Sequence, residues 1–304
     1  MSFNDDAKLD SGRIRDSRGR GRGGKIAAGG GGIIVVLIAA ILGINPDMLA
    51  QLGIGAGPGT EQGTTQDGPA AIEGCKTGAD ANARTDCRIL ATTQSLDSFW
   101  LAYLPQYNVA VERPGVQLFD GQVDTACGTA SSAVGPFYCP GDRVAYFDTG
   151  FFAELSTNYG ADGGPLAEEY VVAHEYGHHI QNTIGTLAAS QQGGTGATSG
   201  SVRVELQADC FAGMWAAHAA TTKDAEGNTF MQPIRRADLQ SALSAASAVG
   251  DDRIQEAASG RVNPQVWTHG SSAQRQAWFL QGYATGDINQ CDTLSARNLD
   301  KPGA

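Results

Sequence analysis

Val171-Val172-Ala173-His174-Glu175-Tyr176-Gly177-His178-His179-Ile180-Gln181 carries the pattern His-Glu-x-x-His between apolar residues. Pro165 and the acidic pair Glu168-Glu169 come just before it. Proline suits the first turn of a helix, where its missing N–H costs nothing, and carboxylates suit the positive end. On that helix His174 and His178 lie four apart, so their imidazoles project from one face on consecutive turns. The spacing can place two nitrogens on one Zn²⁺, with Glu175 beside the metal as base for a water. Chance is the rival explanation of so short a pattern. The chain has only five histidines, however, and three of them fall within the six residues from His174 to His179.

Two histidines leave a catalytic zinc one protein ligand short, since such sites keep three and leave the fourth position open. A longer signature with a third histidine at position 184 is excluded, because Gln181 and Ile184 stand where glycine and histidine are needed. Glu205 is the better candidate. It follows His178 by 27 residues, and the glycine-rich stretch Ala188–Gly200 can reverse the chain between them. Asp209 lies one turn beyond Glu205 on the same face and can hold the non-ligating nitrogen of a zinc histidine. Two carboxylates four apart among apolar residues repel unless something positive lies near them; the alternative is that both sit on a wet face. Glu168 and Glu169 would fall well round the helix from His174. His179 is read as structural or surface, and His218 is given no role.

The chain of 304 residues suffices for one large domain with an appendage, or for two small domains. Its charge is split. Residues 1–25 hold seven Lys or Arg against four Asp, net +3, and the rest holds 14 basic and 28 acidic side chains, net −14. An acidic body lacks the surface that neutralises phosphates, so no nucleic-acid partner is expected. Residues 26–44 carry no charge and are just long enough to span a bilayer. A cleavable signal peptide is the rival reading, but no small-x-small site closes the apolar run. The expectation is a single anchor at 26–44 contacting lipid, a basic cytoplasmic leader at 1–25, a Gly/Thr/Gln/Pro-rich tether at 45–74, and an outward-facing body at 75–304. Six cysteines agree with an oxidising compartment. Proximity pairs Cys75 with Cys87 and Cys127 with Cys139, leaving Cys210 with Cys291, one of fifteen possible pairings.

Within the body, helices are expected at 89–104, from Val202 to about Thr221, at 236–248 and at 272–283. Short strands are expected at 116–120 and 143–148. A strand shortly before the metal-site helix offers an edge on which an extended peptide can pair.

Glu205-Leu206-Gln207-Ala208-Asp209 paired with His174-Glu175-Tyr176-Gly177-His178 resembles the gluzincin arrangement of thermolysin-like and several membrane-associated bacterial peptidases. More closely, the chain resembles the bacterial neutral zinc metallopeptidase family. The likeness extends over the basic leader and anchor, Gly135-Pro136-Phe137-Tyr138-Cys139-Pro140, Tyr146-Phe147-Asp148, Gly250-Asp251-Asp252, and Thr268-His269-Gly270-Ser271-Ser272 with Arg275, Trp278 and Phe279. It implies an α+β, zincin-like domain, mainly helical with a small sheet, that cleaves peptide bonds with Zn²⁺ and acts on a peptide or protein outside the bacterial cytoplasmic membrane. Thermolysin-like enzymes also use a histidine distant in sequence to steady the charge formed on the carbonyl oxygen. His269, in a turn before a helix capped by Ser271 or Ser272, is the candidate here, with Arg275 and Tyr283 as rival donors; fastening the turn is its bland alternative. Two other functions stay open: a non-catalytic zinc-containing structural or binding domain, and a hydrolase of cell-wall peptide cross-links.

Overall fold

The computed structural model describes residues 2–19 and 71–303. The expected anchor at 26–44 and the tether up to residue 70 lie outside the described residues, among which no helix is long and apolar enough to cross a membrane. The fold is mixed α+β and mainly helical. In chain order the helices are α1 (Gly78–Ala83), α2 (Thr85–Tyr103), α3 (Phe151–Thr157), α4 (Pro165–Ile184), α5 (Gly200–His218), α6 (Arg236–Ala248), α7 (Asp251–Ser259) and α8 (Ser272–Thr285). The strands are β1 (Arg15–Asp16), β2 (Gly115–Phe119), β3 (Gln122–Thr125), β4 (Gly128–Ser131), β5 (Phe137–Cys139) and β6 (Val144–Asp148).

The His-Glu-x-x-His stretch is the central helix, α4. It starts at Pro165 and stops at Gly185, whose φ of 84° provides the left-handed cap. Its buried residues run almost all the way round, because α2, α5, α6 and the sheet surround it. Ser199 caps α5 by accepting from the Val202 N–H, and Ser271 with Gln274 forms a capping box on α8. Helices α5 and α8 approach so closely that a Cβ on Gly282 would stand 1.9 Å from the Cys210 carbonyl oxygen.

Strands β1, β2 and β6 run parallel, and β5 closes the sheet antiparallel to β6, in the order β1-β2-β6-β5. Alternation along the strands divides the apolar residues between two cores. Val116, Leu118, Tyr138, Ala145 and Phe147 join the large core beneath the helices. Phe119, Phe137, Cys139 and Tyr146 turn the other way and pack with Val123 and Ala130 of the β3–β4 hairpin. The edge expected beside the metal helix is therefore not the strand at 143–148, which lies inside the sheet; β5 is the outer strand. All six cysteines pair as proximity suggests, Cys75–Cys87, Cys127–Cys139 and Cys210–Cys291.

One expectation is corrected. Residues 2–19 are not a separate leader but part of the folded body. Phe3, Ala7 and Ile14 are buried in the main core, and Phe3 bridges to Met231. The Asn4 amide donates to the carbonyls of Thr229 and Met231, and β1 adds a parallel strand beside β2. Arg13 makes a bidentate pair with buried Asp97, Nε at 2.5 Å and Nη2 at 2.8 Å, and Asp97 in turn accepts from the Tyr176 hydroxyl of α4. Buried Ile72 also extends the body ahead of the boundary expected at residue 75. Two of its arginines are paired with carboxylates, Arg13 with Asp97 and Arg18 with Asp16 and Asp86.

Candidate metal centre

Helices α4 and α5 meet where their side chains are smallest. A Cβ on Gly177 would lie 3.2 Å from Ala208 Cα, and this contact sets His174 and His178 opposite Glu205 and Asp209. His174 Nε2 is 3.1 Å from Glu205 Oε2, and His178 Nε2 is 3.5 Å from Glu205 Oε1. One donor atom from each of the three residues lies within 4.8 Å of the others. Two imidazole nitrogens and a carboxylate are the donors a hydrolytic zinc takes, with one position left open.

The outer nitrogens of the two rings are occupied. His174 Nδ1 lies 2.8 Å from Asp209 Oδ1. His178 Nδ1 lies 2.8 Å from Gln181 Oε1, a contact of a residue that spacing had only used to exclude another signature. Both Nε2 atoms therefore face Glu205, where the three residues could hold a metal in common.

Asp209 is the hub of a buried network. Tyr170 Oη donates to its Oδ1 at 2.5 Å, Arg275 Nε to its Oδ2 at 2.9 Å, and Arg275 Nη2 to its Oδ1 at 3.0 Å. Burial raises the Asp209 carboxyl, but Arg275 and His174 outweigh it and hold it below its ordinary value. Burial likewise works against Glu205, yet His178, His174 and His269 bring it well below the carboxylate range. Burial would depress the His174 imidazole; Asp209 and Glu205 overcome that and push it up to about 10. Glu175 goes the other way: burial raises its carboxyl, Glu205 adds to the rise, and the two histidines only partly oppose it. A raised carboxyl beside two imidazoles is suited to exchanging protons.

His269 enters from the turn ahead of α8. Its side chain remains 37% exposed, and its ring is set by Asp251, whose Oδ1 lies 3.3 Å from Nδ1. Asp251 Oδ2 also accepts the backbone N–H groups of Thr268, His269 and Gly270, at 2.8, 2.7 and 2.9 Å. Burial lowers the His269 imidazole, while Asp251 and Glu205 raise it to a net increase. Of the rival donors, Arg275 is committed to Asp209 and buried, and Tyr283 lies eight residues further along α8, roughly 12 Å along its axis. His179 is buried and structural, linked to the Tyr138 hydroxyl and the Glu112 carbonyl. His218 stays away from the centre, bonded to the Met214 carbonyl and stacked on Phe99. Glu168 pairs with Arg88 at 2.7 Å, and Glu169 is buried on the far side of α4.

Reading the sequence assigned no role to Asp251, Gln181 or Tyr170. Each left a faint signal: Tyr170 and Gln181 stand four before His174 and three after His178 on one helix, and Asp251 begins the helix that precedes the His269 turn.

A sequence model of a family described as "Putative neutral zinc metallopeptidase" matches residues 4–294. Uncharacterized proteins of Mycobacterium tuberculosis and Mycobacterium bovis are 58% identical over 226 residues, covering 74% of this chain and 76% of theirs. The uncharacterized protein YpfJ of Escherichia coli is 39% identical over 222 residues, 71% of this chain and 72% of its own. No solved structure matches.

Proposed function

Because this chain belongs to the neutral zinc metallopeptidase family, we propose that it hydrolyses peptide bonds at a zinc ion held by His174, His178 and Glu205, in the gluzincin manner on a zincin-like fold. The observation that carries this reading is the convergence of both Nε2 atoms on Glu205 while Asp209 and Gln181 occupy both Nδ1 atoms. A zinc ion held by these three residues would supply Lewis acidity toward the scissile carbonyl and acidify a water. Glu175, buried beside the two histidines, would take the water's proton and pass it to the leaving amine. His269, oriented by Asp251, donates to the carbonyl oxygen as negative charge gathers there. The free side of β5 gives an extended peptide a strand to pair with.

A closed structural zinc takes four protein ligands and has no use for a base, so three donors with Glu175 beside them favour hydrolysis. For location we propose the outer side of the cytoplasmic membrane, with lipid contact through residues 26–44; the three disulfides support an oxidising compartment. Glu175→Gln is expected to keep zinc and lose hydrolysis of a mixed peptide library by at least ~10²-fold, the scale of general-base loss. A variant as fast as the parent sinks the mechanism. Unfolded protein and peptidoglycan fragments offered side by side separate the two substrate classes.

A further inference from the structure

Two buried glutamines form a directed chain that ends on His178. Gln207 Nε2 donates to the Cys291 carbonyl at 3.1 Å. Gln207 Oε1 accepts from Gln181 Nε2 at 3.2 Å and from the Thr186 hydroxyl at 2.7 Å. Gln181 Nε2 also donates to the Val204 carbonyl at 2.6 Å, and Gln181 Oε1 faces His178 Nδ1 at 2.8 Å. Gln181 is fully buried and Gln207 nearly so.

The direction of this chain is not arbitrary. A backbone carbonyl only accepts, so the NH₂ end of Gln207 faces Cys291 and the NH₂ end of Gln181 faces Val204. Each amide's oxygen is then turned the opposite way. Gln181 Oε1 can only accept, and the imidazole next to it has to carry its proton on Nδ1. The other end is pinned covalently, since Cys291 is bonded to Cys210, three residues after Gln207 on α5. The Val204 carbonyl belongs to the residue before Glu205, so the same amide ties α4 to α5 at the third candidate ligand.

We propose that Gln181, held by Gln207, is a positioning residue that selects the Nδ1–H tautomer of His178 and so leaves the Nε2 lone pair free for the metal. The tautomer claim concerns the metal-free protein; its use for zinc rests on the function proposed above. Without Gln181 the ring is free to place its proton on Nε2, where it blocks the ligand atom, and zinc binding has to expel or relocate it first.

The test is long-range ¹H–¹⁵N NMR of the imidazole in the full, metal-free chain, with zinc affinity measured by chelator competition. The parent is expected to show a protonated Nδ1 and a lone-pair Nε2 at His178. Gln181→Leu should shift the ring toward Nε2–H and weaken zinc ~10–100-fold, as loss of a ligand's supporting contact does. Gln181→Glu, which keeps an acceptor in place, should retain the parent tautomer. An unchanged tautomer in Gln181→Leu overturns the proposal whatever zinc does. Should Gln181→Leu not fold, Gln207→Leu decides: a mixed tautomer and weaker zinc support the chain, and parent values in both overturn it. A parent that shows Nδ1–H yet binds no zinc upholds the tautomer claim and defeats the metallopeptidase reading instead.

Discussion

The two histidines of the centre sit one helical turn apart and are held by unlike means. His174 leans on charge: Asp209, buried and paired with Arg275 from α8. His178 leans on neutral amides from α4 and α5. Burying a carboxylate and a guanidinium costs several kcal/mol per ion before pairing, so the His174 side stands only while each charge keeps its partner. The amides cost far less to bury and lose less when one is removed. Charge makes one side strong and brittle, and neutrality makes the other weaker and more forgiving. Because Arg275 reaches Asp209 from a different helix, the His174 side also binds α4, α5 and α8 into one unit.

The largest break in this contrast should come from Arg275→Met. It leaves Asp209 buried without its cation, and urea denaturation of the metal-free chain should show a loss of about 3–5 kcal/mol. The same assay on Gln207→Met should show about 1–3 kcal/mol, the range for one buried polar partner left unsatisfied. Equal losses would erase the distinction between the two sides. Asp209→Asn tests the ligand role apart from folding. The amide can still accept from His174, but the charge that favours the metal-bound ring is gone, and chelator competition should show zinc weakened ~10–100-fold.

Glu169 sharpens the comparison as a buried carboxylate on the same helix with no cation bonded to it. Neither of its oxygens has a hydrogen-bond partner among the described residues. Burial pushes its carboxyl from 4.5 up to about 8, and the charge of Arg88 only partly opposes it. Between those values the folded chain keeps a proton that the unfolded chain has released. Glu169 therefore makes stability fall as pH rises from about 4.5 to about 8, by at most ~1.4 kcal/mol per unit, and contributes no slope below that window. Glu169→Gln should flatten this slope in urea titrations near the two ends of the window. A slope equal to the parent's would mean that the carboxyl is already ionised in the folded chain.

What could be read in advance followed from spacing within single helices. His174, His178, Glu205 and Asp209 stand out because α4 and α5 carry few polar residues on their inner faces, so each one asks for a reason. Two carboxylates four apart also called for a positive neighbour; Arg275, weighed only as a substrate donor, turns out to supply it. The contacts that escaped notice depend on packing between elements. Gln181 carries no charge to mark it, and its oxygen acquires a direction only through Val204 and Gln207 on another helix. β5 is three residues long inside a Pro- and Cys-bounded turn, and the β3–β4 hairpin buries only Val123 and Ala130, too little alternation to register as strands. The opening segment hid for the same reason, since its anchoring contacts, Asn4 with Thr229 and Arg13 with Asp97, join residues far apart in the chain.

That opening segment bears on the anchor expected at residues 26–44. Asn4 is bonded to Thr229 and Met231, Arg13 to Asp97, and β1 to β2, so the segment before the apolar stretch at 26–44 and the domain after it form one folded object. A lipid layer cannot pass through such an object. Residues 2–19 and the domain they complete would therefore lie on one side of any membrane the chain contacts. The excess of arginines ahead of the apolar stretch would ordinarily keep the N-terminus in the cytoplasm. Here that rule competes with a strand pairing, a buried ion pair and a phenylalanine in the core. Reporter groups fused to the two ends of the chain should therefore be modified from the same side of a sealed vesicle.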